Sequence, residues 1–142
     1  MNCVDKKRLN EFFQDKGYDL RKFQGTPDND IVISKALNKE DALNLLDLCF
    51  ELFIPVLGGD VLFLKDNGSL DYTYDNWYIN RLQAETFYQF LKRSIDVSKD
   101  YINNYHHPFL KESSILFNIV PFDIENYEDI SLEDTRTGTQ NP

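Results

Sequence analysis

An α+β domain with a small antiparallel sheet follows from three features of the sequence. Segments at about 4–16, 39–53 and 84–105 carry apolar residues at helical spacing. Asp66-Asn67-Gly68, a strong hairpin signal, separates two strand-like runs and places an antiparallel pair at about 60–74. A last apolar run at about 115–121 supplies another strand, so the order helix, helix, hairpin, helix, strand points to helices packed on a sheet.

The elements follow in chain order. Val4, Leu9, Phe12 and Phe13 form the apolar side of a short first helix, and Gly17 is placed to end it. Residues 18–30 hold Gly25, Pro27, Asp28, Asn29 and Asp30 and read as a surface connection with little regular structure. Asn38 is positioned to cap a second helix, and Glu40 and Asp41 suit the positive end of its dipole. Ala42, Leu45, Leu46, Cys49 and Phe53 form its buried face, and Pro55 is expected to stop it. Val61–Leu64 is a continuous apolar run, as in a strand covered on both faces. The return strand alternates, with Leu70, Tyr72 and Tyr74 on one face and Asp71, Thr73 and Asp75 on the other, so one face packs and the other meets water. In the longest helix, Phe87, Leu91, Ile95, Ser98 and Ile102 make one row, and Phe90, Ser94, Val97 and Tyr101 a second. Pro121 marks the final strand as an edge or a strand end.

The chain has 142 residues, with 42% hydrophobic and 14% aromatic content, which fits one core. Residues 1–134 are expected to form a single domain and 135–142 a flexible tail. The net charge of −9 leaves no cationic surplus for phosphates, which argues against nucleic acid and against anionic membranes. It suits a basic partner. Neither a signal-peptide core nor an 18-residue apolar run is present, so a cytoplasmic setting is expected. Cys3 and Cys49 lack metal-type spacing, and Cys49 reads as a small buried hydrophobe.

Candidate chemistry centres on two stretches. Gly58-Gly59-Asp60 lacks the lysine of a phosphate loop and precedes a strand rather than following one. It reads as a sharp joint from helix into strand, with Asp60 fixing the bend. Asp75-Asn76-Trp77-Tyr78 reads as a turn at a strand end, with Trp77 as a core anchor or an interface residue. Asp60, Asp71 and Asp75 are candidates to meet at the hairpin mouth, where close carboxylates would split their pKa values. No metal-binding histidine accompanies them. His106 and His107 are adjacent on one backbone and suit a surface helix terminus better than a metal site. No catalytic, cofactor-binding or metal-binding residue is assigned. The segment 123–134 interleaves Asp123, Glu125, Glu128 and Asp129 with Ile124 and Tyr127, a pattern able to steer a basic surface and then bury apolar contacts.

GGDV at 58–61, TYDNWY at 73–78 and the helix ETFYQFLKRSIDVSKDYI at 85–102, with GYDL at 17–20 and ALNLLDLCFELFIPVLGGDV at 42–61, resemble the Imm40 family of bacterial polymorphic-toxin immunity proteins. The resemblance spans residues 17–122. It implies a cytoplasmic antidote that binds and neutralises a cognate secreted toxin domain, with no catalysis and no cofactor. It also implies that Gly58, Gly59, Asp60, Asn76 and Trp77 are structural. Partner contacts are expected at Asp71, Asp75, Asp123, Glu125, Glu128 and Asp129, with Tyr127 as an aromatic anchor. Two other classes compete: a small metal-dependent hydrolase using Asp60 and Asp75, and a non-catalytic adaptor or regulatory domain.

Overall fold

The computed structural model describes residues 3–20 and 35–122. Leu9 and Phe13 bury one side of the first helix, α1 (Cys3–Phe13). Asp15 and Gly17, both at positive φ, then turn the chain. Lys35 reaches back from the sheet and donates to the carbonyls of Phe13 and Lys16, placing a cation at the negative end of α1. Residues 18 and 19, expected to lack regular structure, form a short strand, β1 (Tyr18–Asp19), antiparallel to β2 (Lys35–Leu37). Two paired residues carry no periodicity, so local pattern cannot reveal them.

Asn38 caps the second helix, α2 (Lys39–Glu51), by accepting from the Asp41 amide at 2.7 Å. Ala42, Leu45, Leu46 and Cys49 are its buried residues. The helix ends before Pro55. Phe53 adopts φ 60°, its amide donates to the Phe50 carbonyl, and the Ile54 amide donates to the Cys49 carbonyl. That pair of bonds is a Schellman ending with phenylalanine in the place glycine usually takes.

The hairpin is longer than the sequence suggests, with β3 at Val56–Leu64 and β4 at Leu70–Tyr78. Gly68 at φ 89° closes the turn and Asn67 Oδ1 accepts from the Ser69 amide. Gly58-Gly59-Asp60 therefore lies inside a strand rather than at a joint before one, and Asp75–Tyr78 also lies inside a strand. The third helix, α3 (Phe87–Asn104), starts from a capping box in which Thr86 and Gln89 bond reciprocally. A 3-10 turn (Glu112–Ser114) leads into β5 (Ile115–Pro121).

All strand pairs are antiparallel and the order is β1-β2-β5-β3-β4. Pro121 ends β5, but β5 is interior, paired to β2 and β3, so only the strand-end half of that expectation holds. The edge on the hairpin side is β4. Leu37, Val61, Trp77, Phe117 and Ile119 join residues of all three helices in one cluster, so the helices share one face of the sheet. Leu20, Ala36, Leu62 and Leu116 form a smaller cluster on the other face, with Leu64 and Leu70 against it. Over Tyr72–Asn76 the edge strand β4 is largely uncovered: Tyr72, Tyr74, Asp75 and Asn76 are exposed.

Candidate partner-binding face of the hairpin

Strand register brings the two sequence signatures together. Gly58 pairs with Tyr78, Gly59 with Trp77, and Asp60 with Asn76. A Cβ on Gly58, whose φ is 143°, would lie 2.6 Å from Tyr78 Cα. On Gly59 it would lie 2.9 Å from Trp77 Cζ2 and nearer still to Cη2 and to the Asn118 carbonyl oxygen. Gly58 is required by the close approach of the β4 backbone, and Gly59 by the Trp77 ring and the β5 backbone, not by a turn.

Trp77 is a core residue at 7% exposure. Its indole N–H donates to Ser98 Oγ at 2.9 Å, and its ring stacks on Tyr101 at 4.5 Å between centroids. Ser94, also buried, accepts from the Val56 amide at 3.0 Å. Leu57 is the extra residue at a register shift between β3 and β5, and Ser94 satisfies the amide beside it.

A second irregularity lies between β3 and β4. Asp60 pairs with Asn76 but Leu62 pairs with Tyr72, so Thr73, Tyr74 and Asp75 stand opposite Val61 alone. Tyr74 takes φ 70° there, a conformation that costs a bulky residue roughly 1–3 kcal/mol. Three bonds hold the bulge. Thr73 Oγ1 donates to the Val61 carbonyl at 2.8 Å, and the Asp75 amide donates to Thr73 Oγ1 at 3.0 Å. The Tyr105 hydroxyl donates to Asp75 Oδ2 at 2.7 Å. Burial first, and then Asp75, push the Tyr105 hydroxyl up to about 12. The Tyr74 ring gains no packing from the strain: it is 83% exposed. Beside it is Tyr72 at 44%, its ring 6.4 Å from that of Tyr74, and further along β4 Tyr78 is 74% exposed.

The carboxylates of the hairpin lie in different settings. Asp71 accepts from the Tyr72 amide at 2.8 Å and pairs with Lys65 at 3.3 Å, and these bonds hold its carboxyl below the usual range. Asp60 lies across from Asn76 on the sheet face away from the helices, whereas Asp75 turns to Tyr105, which packs edge-on against Phe117. The pair that a hydrolase would use is therefore divided between two settings. Among the described residues no group of three His, Cys, Asp or Glu is arranged to hold a metal. Asp123, Glu125, Tyr127, Glu128 and Asp129 lie outside the described residues.

Two further features were not legible in the sequence. A pocket of about 500 Å³ opens between the first turn of α2 and the end of α3, lined in part by Lys39, Tyr105, His106 and His107. On the face away from the helices, Asn118 pairs in register with Asp60 and Ala36, and its buried Oδ1 has no hydrogen-bond donor among the described residues.

A protein-family model described as Immunity protein 40 (Imm40) matches residues 29–121, which span β2 through β5 and both signatures. No curated protein and no solved structure matches the chain.

Proposed function

The chain belongs to the Imm40, immunity protein 40, family, and from that premise we propose that it binds and neutralises a cognate secreted toxin domain by forming a stoichiometric complex. The match over residues 29–121 carries this reading, because those residues are most of the helix–sheet body. The protein acts by occupying or distorting the toxin's active site and performs no chemistry of its own. It works in the cytoplasm of the producing cell, where the toxin would otherwise act on its maker.

An antidote must outlast the toxin it holds. Nanomolar binding corresponds to about −12 kcal/mol and typically takes an interface near 1,600 Å² with a few buried anchors. A net charge of −9 also accelerates encounter with a basic toxin, an advantage that weakens with salt. Asp71 and Asp75 on the hairpin contribute to that field, together with Asp123, Glu125, Glu128 and Asp129, and Tyr127 adds an aromatic contact.

Co-expression with the toxin domain encoded beside this gene tests the proposal. Growth is expected to be rescued and the two chains to co-purify as a complex of fixed ratio. Cells that still die, with no complex recovered, would defeat it.

A further inference from the structure

We propose that the outer side of the β4 edge, with Tyr72, Tyr74 and Tyr78 as its anchors, is the surface that grips the toxin, and that the toxin meets it with an arginine- and lysine-bearing face. The inference rests on the immunity function proposed above and assigns that function a location.

Strain combined with exposure is the leading observation. Glycine or asparagine would satisfy the φ of 70° at position 74 more easily than tyrosine. A ring that is 83% exposed repays nothing to the fold. The bulge is nevertheless fixed from three directions, by Val61, by Thr73 and by Tyr105 from the neighbouring helical layer. A strained residue that is firmly held and displayed to solvent is the pattern of a preorganised contact. Tyr72 lies beside Tyr74, and Tyr78 extends the same strand, so three of the eight tyrosines stand exposed on one edge. Tyrosine buries a large rigid area while keeping a polar tip, which suits interface anchors.

Charge selects the occupant. Residues 56–78 hold four aspartates, Asp60, Asp66, Asp71 and Asp75, against one lysine, and that lysine, Lys65, pairs with Asp71. Carboxylates beside exposed aromatic faces complement guanidinium and ammonium groups by ion pairing and by cation–π contact. A phosphate backbone would be repelled by the same surface.

The test uses the full chain and the purified toxin domain from the adjacent gene. Tyr74→Gly relieves the strained backbone, so its melting temperature is expected to equal or exceed that of the wild type. Its affinity for the toxin is expected to fall by roughly 30-fold or more, as is that of Tyr78→Ala. Tyr88→Ala, which removes an exposed ring packed near Phe50 on the helical side, is expected to leave affinity unchanged. Association should slow as salt rises, and more weakly so in Asp71→Asn. Equal binding by the wild type, Tyr74→Gly and Tyr78→Ala would overturn the location while the immunity function stands. Absence of toxin binding by the wild type would remove both. A wild-type dimer that Tyr74→Gly dissociates would reassign the edge to a second copy of the chain. Association insensitive to salt and to Asp71→Asn would refute the basic occupant.

Discussion

Gly59 lies directly across β3 and β4 from Trp77, and the indole occupies the space that any side chain at position 59 would need. The Asn118 carbonyl oxygen of β5 closes the other side. One backbone carbonyl and one large ring therefore leave room for glycine only.

Gly59→Ala is expected to destabilise the fold by about 1–3 kcal/mol, the usual cost of forcing extra volume into a packed interior. Chemical denaturation followed by Trp77 fluorescence measures it, since this is the sole tryptophan. Unchanged stability would mean that β4 shifts outward without cost.

The Ser98 hydroxyl is the acceptor for the Trp77 indole N–H, and both residues are buried. Ser98→Ala leaves that donor without its partner, at an expected cost of about 1–3 kcal/mol. Because the stacking on Tyr101 is untouched, the native emission of Trp77 should change little while the denaturation midpoint falls.

Acid stability is expected to depend on Glu85. Its side chain is 8% exposed and receives two bonds from Arg93, at 2.6 and 3.0 Å. The Arg93 guanidinium holds the carboxyl below its ordinary value of 4.5. A carboxyl whose folded pKa is depressed adds stability above its unfolded pKa, and that stability is lost as pH falls through the folded pKa. Wild-type protein should thus weaken below about pH 4.5, and Glu85→Gln should show a flatter profile there and a lower plateau near neutrality. Parallel profiles for the two proteins would exclude the pair as the source.

Cys49 sits in the core on α2, where burial pushes its thiol up to about 12. The thiolate is the reactive species, so alkylation of Cys49 in a Cys3→Ser background should be negligible in native protein and rapid in denaturant. Fast native labelling would show that α2 opens locally without global unfolding.

Long periodic segments were legible because each repeats its message. Ala42, Leu45, Leu46 and Cys49 mark the buried face of α2 four times over, and Asn38 announces its start. The Thr86-Gln89 capping box was equally available and fixes the start of α3 at Phe87 rather than at 84. Isolated irregularities were not legible. A Gly-Gly pair signals a turn by propensity alone, whereas here it signals the close approach of Trp77 and the β5 backbone. By pattern Tyr74 reads as one member of an alternating strand, since a bulge leaves no trace in the order of apolar and polar residues.

From its order of residues alone, this chain determined the helix–helix–hairpin–helix–strand plan, the Asn67-Gly68 turn and an acidic net charge. These depend on local dihedral preferences and on total charge, which are properties of neighbours along the chain. Tertiary structure alone decided that β5 lies inside the sheet, that β4 is its edge, and that three tyrosines stand in water there. Such outcomes depend on which distant strands pair and in what register, and a one-residue shift in register would turn every side chain of a strand to the other face.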